Sequence, residues 1–171
     1  MNRRELETLL LTLESTPVLM ARAAREMSPA AARRRLASGG FSFVENVWHL
    51  ADLEREAYAV RIRRILSEEE PTLSNFDGER IARERAYEIK DVTPGLEAFA
   101  YARRRNVEAL RGVAPSDWRR GAVQDQVGPV RLEDLPRSMA EHDRAHTAEV
   151  AALLKEMSAL RAGSQFSVIS Y

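Results

Sequence analysis

Ser42-Phe43-Val44-Glu45-Asn46-Val47-Trp48-His49-Leu50-Ala51-Asp52-Leu53-Glu54 opens a helical pattern that continues to about Ser67. Ser42 and Glu45 stand three apart, the spacing at which a serine hydroxyl and a glutamate carboxylate cap a helix start reciprocally. At ~1.5 Å per residue, the 26 residues from Ser42 to Ser67 make a rod of roughly 39 Å, enough to cross a whole domain. Such a rod needs partners of similar length, and the flanking sequence supplies them.

Upstream, Gly39-Gly40 stops a short Arg-rich helix that Ser28-Pro29 opens as N-cap and first-turn proline. Before it, a first long helix begins near Asn2, with Glu5 as capping partner, and carries Leu6, Leu9, Leu10, Leu13, Met20 and Ala24 on one face. Pro17 lies inside this pattern and is expected to kink it. Downstream, Glu68 to Gly78 reads as a loop long enough to cross the end of a bundle, followed by a modest helix from about Glu79 to Glu88. Thr93-Pro94 starts a third long helix with Leu96, Phe99, Ala100, Val107 and Leu110 on one face, ended by Gly112 to Pro115. After a second long connection, Ala114 to Val130, a fourth helix starts near Leu132 to Asp134, tolerates Pro136 and runs to about Arg161. No convincing alternation of β-branched residues occurs before the last few positions. The expected fold is all-α: a four-helix bundle with crossover connections, in one domain over residues 1–162, with 163–171 as a tail.

Composition narrows the function. The chain holds 26 Lys and Arg against 26 Asp and Glu, so no net basic field exists to grip a nucleic acid or an anionic membrane. It has no cysteine, which excludes disulfides, thiolate ligands and a Cys nucleophile. The charged start Met1-Asn2-Arg3-Arg4-Glu5 and the absence of a long apolar run are read as a cytoplasmic protein with no membrane segment. A chain of this length can bury a full core unaided, so any metal would need a purpose other than folding.

Only three histidines occur, His49, His142 and His146. The last two are four apart, a turn of ~40° and a rise of ~6 Å, which puts both on one helix face where a single ion can reach them. They fall within the apolar stripe Leu135, Met139, Val150, Leu153, Met157 and Leu160, and therefore face the core. Two inward imidazoles are either core histidines satisfied by hydrogen bonds or ligands of one metal. Unsatisfied nitrogens there would cost ~1–3 kcal/mol each, which a shared ion relieves. His49 lies on the line Glu45, His49, Asp52, Glu56, which is either a solvated edge or, if the second and fourth long helices are neighbours, the source of a third imidazole. Three neutral histidines leave a divalent ion an open position. Asp52, about one turn from His49, is then a candidate acceptor for a ligand or a general base.

Arg103 interrupts the apolar face of the third long helix. It is either a paired or snorkelling cation, or it points to the histidine site, binds an anionic substrate group and rests on Glu45 or Asp52. Tyr87, Trp48 and Trp118 could line such a pocket. The sequence has no Gly-rich phosphate loop, GxSxG or HExxH motif, and Arg33-Arg34-Arg35 reads as a solvated helix face.

Taken together, Phe41-Ser42 leading to His49-Leu50-Ala51-Asp52-Leu53-Glu54, then Trp118 with Gly128-Pro129, then His142-Asp143-Arg144-Ala145-His146, resemble the DinB/YfiT-like family of metal-binding four-helix bundles. The resemblance implies an up-down-down-up bundle, a homodimer and a divalent metal on His49, His142 and His146. It also implies metal-dependent hydrolysis, or transfer or isomerisation chemistry with a low-molecular-weight thiol. Where some relatives carry a further histidine this chain has Gln124-Asp125-Gln126, so no fourth protein ligand is expected. The resulting expectation is an enzyme with zinc or nickel on three histidines, activating water or a small thiol against a small-molecule substrate. The alternative is a non-catalytic binding or dimerisation module with a structural metal or none.

Overall fold

Residues 2–166 are described by a computed structural model, with side chains through residue 160. Side chains set the helix starts by supplying acceptors to amides that lack a partner in the first turn. Asn2 Oδ1 accepts from the Glu5 amide at 2.8 Å and opens α1 (Arg3–Arg25), and Ser28 opens the short α2 (Pro29–Ala32). The capping box forms as expected: Ser42 Oγ accepts from the Glu45 amide at 3.4 Å and Glu45 Oε2 from the Ser42 amide at 2.9 Å, opening α3 (Phe43–Leu53). The rod then departs from a plain α-helix. Glu54–Tyr58 form a π turn before α4 (Ala59–Ser67) completes it. Asp77 caps α5 (Gly78–Glu84), and α6 (Val92–Arg111) begins ahead of the expected Thr93 cap. The last helix, α7 (Leu135–Phe166), continues past Gly163 into the expected tail, whose residues 167–171 lie outside the described residues.

Side-chain pairs give the helix directions. Glu5 meets Arg137 and Thr16 meets Asp143, so α1 and α7 run parallel. Val47 lies against Gly95, and Glu54 meets Arg103 and Asn106, so the α3–α4 rod and α6 also run parallel. Contacts of His49 with His142 and Asn46 with His146 set the rod antiparallel to α7. Leu13 with Arg103 and Glu7 with Arg111 set α1 antiparallel to α6. The arrangement is an up-down-down-up four-helix bundle. A parallel rod and α6 require the chain between them to travel back along the bundle, and this return, residues 68–91, carries α5 past His49.

The fold is all-α as expected, and its connections add one small sheet. β1 (Thr72–Leu73) pairs parallel with β2 (Gly121–Gln124), which forms an antiparallel hairpin with β3 (Gly128–Arg131). These strands are two to four residues long, too short for alternation to register in sequence. The hairpin turns through Gln126 and Gly128 at positive φ.

Two apolar clusters fill the bundle. One gathers Leu10, Leu13, Ile62, Ile65, Val107, Leu110 and Met139, the other Met20, Phe43, Val47, Leu50, Phe99, Val150 and Leu153. Pro17 lies within the continuous α1. Its missing amide leaves the Leu13 carbonyl without its usual helical donor, and Arg103 Nη1 donates to that oxygen at 2.9 Å.

Candidate metal centre

His49 projects from α3 toward α7, where His142 and His146 project back. The Nε2 atoms of His49 and His142 are 3.3 Å apart, and those of His142 and His146 are 3.2 Å apart. Nitrogens bound at about 2.0–2.1 Å around one tetrahedral ion stand about 3.3–3.4 Å from each other, so the spacing of these rings fits a shared metal.

The protonation states also fit. Asn46 Nδ2 donates to the Phe41 and Ser42 carbonyls, which turns its Oδ1 to His146 Nδ1 at 2.6 Å. That contact places the proton of His146 on Nδ1 and leaves the Nε2 lone pair facing the other rings. Burial, reinforced by the neighbouring rings, pushes His49 down to about 3. Burial likewise lowers His142 to about 4, and it lowers His146. All three are neutral at physiological pH, the form a metal requires. Buried Nδ1 atoms of His49 and His142 have no hydrogen-bond partner among the described residues. A cation shared by the three Nε2 atoms would take the lone pair that the Asn46 contact leaves on His146 Nε2, together with one from each of the other two rings. An all-imidazole set suits first-row divalent ions.

A cleft of about 480 Å³ opens over His49 and His146, walled by Phe41, Gly78, Ala82, Arg83 and Glu149. Phe41 stacks on His146 with ring centroids 6.5 Å apart and tilts against His49 at 5.3 Å. Glu149, three residues after His146, points to the cleft. Its Oε1 accepts from the Phe41 amide at 2.7 Å, and its Oε2 lies 3.6 Å from His146 Nδ1. Only glycine at position 40, with φ of +91°, leaves room for that carboxylate.

The sequence profile of the DinB superfamily matches residues 12–150, from within α1 to beyond His146. The chain belongs to the DinB superfamily. A protein of Oceanobacillus iheyensis whose name assigns it, provisionally, to the metal-dependent hydrolases is 25% identical over 118 residues, 69% of this chain and 67% of that one. In fold, the DinB chain is similar to YfiT from Bacillus subtilis, described as a probable metal-dependent hydrolase with an unusual four-helix bundle topology. That match has a TM-score of 0.85 at 21% identity and covers 92% of this chain and 90% of YfiT.

Within this DinB fold the other expected site residues are placed differently. Asp52 is buried, and its oxygens accept from Arg55 at 2.8 Å, from Arg85 and from the Tyr87 hydroxyl. It does not accept from His49, whose Nδ1 is unpartnered, so the expected orienting contact is absent. Arg103 does not line the cleft. It is 1% exposed and pairs with Glu54 and Asp143, not with Glu45 or Asp52. Glu45 takes Arg35 instead. Trp48 donates to the Asp91 carbonyl at 2.9 Å, Tyr87 holds Asp52, and Trp118 packs on the far apolar cluster, so none of these aromatics lines the cleft. Sequence reasoning missed Asn46, Gly78 and Glu149. Asn46 and Glu149 each stand three residues from a histidine on the same helix face, a signal that was available; the role of Gly78 was not visible in an Asp-Gly turn. No helix of the described residues is long and apolar enough to cross a membrane.

Proposed function

We propose that this DinB superfamily protein is a metal-dependent hydrolase of small molecules, with a divalent transition metal, zinc or nickel, on His49, His142 and His146. The observation that carries the reading is the convergence of three imidazoles beneath a cleft, with His142 Nε2 3.3 Å from that of His49 and 3.2 Å from that of His146 and all three ligand atoms within 4.8 Å of one another. Such an ion, when bound, supplies Lewis acidity, polarising a carbonyl and bringing water near a pKa of ~7. The hydrolase names of the relatives support hydrolysis over the thiol chemistry considered from sequence.

The chain's own residues have distinct tasks. Asn46 holds His146 in the tautomer that presents Nε2. Phe41 packs its ring against His49 and His146 at the wall of the cleft. Glu149 Oε2 is the carboxylate oxygen that takes up a proton at the cleft, the role Asp52 cannot fill while Arg55, Arg85 and Tyr87 occupy it. The test begins with metal analysis of the purified chain and titration of chelator-stripped protein with zinc and nickel. Binding that disappears in His142→Ala, with ester or amide hydrolysis that needs the metal and falls in Glu149→Gln, is expected. Absence of transition-metal affinity would remove the reading and leave a binding module. Turnover only with a small thiol and an electrophile would replace water by the thiol.

A further inference from the structure

Between the two apolar clusters lies one buried polar layer that touches all four helices of the bundle. From α1 come Thr16 and the Leu13 carbonyl, from the π turn Glu54, from α6 Arg103 and Asn106, and from α7 Asp143; their side chains belong to residues no more than 4% exposed. Arg103 sends Nη2 to Asp143 Oδ1 and to Glu54 Oε1, both at 2.8 Å, and Nη1 to Asp143 Oδ2 at 2.5 Å and to Leu13 at 2.9 Å. Thr16 donates to Asp143 Oδ2 at 2.6 Å. Asn106 Nδ2 donates to the Glu54 carbonyl at 2.9 Å and to its Oε2 at 2.7 Å, and that carbonyl also takes the Ala59 amide, which closes the π turn.

We propose that this layer positions the metal centre: Arg103, Glu54 and Asp143 are positioning residues that fix the register of α3 and α7 so that the three imidazoles converge. The proposal rests on the metal reading. Asp143 adjoins His142, and Glu54 follows His49 by five residues on one rod, so a single guanidinium clamps both helices that carry ligands. Apolar contacts are non-directional and tolerate sliding and rotation. A fork onto two carboxylates and a backbone carbonyl has one geometry, and metal ligands tolerate only about 0.2 Å of error. Pro17 belongs to the device, because an amide at that position would compete with Arg103 for Leu13.

The test separates position from stability. Replacing a buried ion network by apolar residues of similar size often leaves stability unchanged or higher. The combined variant Glu54→Leu, Arg103→Met, Asp143→Leu should therefore unfold cooperatively at a urea midpoint no lower than wild type, yet bind zinc at least tenfold more weakly. Pro17→Ala removes no charge; it should melt no lower than wild type and lose about two- to fivefold in zinc affinity. A third readout needs neither metal nor variant stability at the limit: ring 15N–1H signals of His142 and His146 in metal-free Pro17→Ala should broaden or double relative to one sharp set in wild type. Wild-type affinity in the folded combined variant, or unchanged ring signals and affinity in Pro17→Ala, would overturn the proposal while leaving the metal reading intact. A wild type that binds neither zinc nor nickel removes the metal reading alone, and the ring signals then decide whether the layer sets the histidine geometry.

Discussion

Gly78 opens α5 where the returning chain passes His49. A Cβ built there would lie 2.4 Å from Cε1 and 2.6 Å from Nδ1 of that imidazole. Ordinary carbon contacts are about 3.5–4.0 Å, so Gly78→Ala forces ring and helix apart by about 1 Å. That is several times the roughly 0.2 Å a metal–nitrogen bond tolerates, so the ring is displaced from the ion instead of adjusting to it. The loss should match or exceed the roughly 10–100-fold that a ligand's supporting partner is worth, or about 1.4–2.7 kcal/mol. Metal-free stability should hardly change. Gly78 does not occupy positive φ, and alanine stiffens the unfolded chain by about 0.4–1 kcal/mol, which offsets local crowding. Competition against a chromophoric chelator gives the affinity, and melting of stripped protein gives the stability. Affinity within twofold of wild type, at unchanged melting temperature, would refute the claim that Gly78 confines His49 and that the convergence seen is what the ion uses.

The pH dependence has a defined sign. The folded chain holds His49 at about 3 and His142 at about 4, below the ordinary 6.5, so the unfolded chain takes up their protons first. Metal-free stability is thus complete above ~6.5 and falls as pH drops toward those values, by up to about 1.4 kcal/mol per pH unit for each histidine. Urea midpoints between about pH 7.5 and 4.5 measure the slope, and His49→Phe should make it shallower; equal slopes would count against buried neutral rings. Asp143→Ala strips one carboxylate from a buried guanidinium and should lower stability by about 3–5 kcal/mol, read from denaturant titration. Asn46→Ala should weaken zinc binding by about 10–100-fold through loss of the His146 tautomer, with a chelator competition as the check.

Local chemistry was legible in the chain. Asn2, Ser28 and the Ser42/Glu45 box act within one helical turn, so spacing alone determines whether they can cap, and each does. The same holds for His142 and His146, whose separation of four residues places them on one face. His49 completed the cluster because the second and fourth long helices are neighbours, a condition the sequence could state but not settle. Which partner a buried charge takes was not legible. Arg103 could be seen as a cation on an apolar face, yet its choice of Glu54 and Asp143 depends on the rotation of the rod and α7, and the π turn at Glu54 shifts that rotation in a way periodicity does not show. Asp52 shares its turn with His49 but faces Arg85 and Tyr87, which arrive from the return chain 33 and 35 residues on. Gly78 against His49 is a contact of the same kind. The sequence by itself determined where helices start and which residues share a face, because those depend on neighbours along the chain. Only the tertiary structure decided which faces meet, because that depends on packing four helices and their connections at once, and the three-histidine cluster lies where those faces meet.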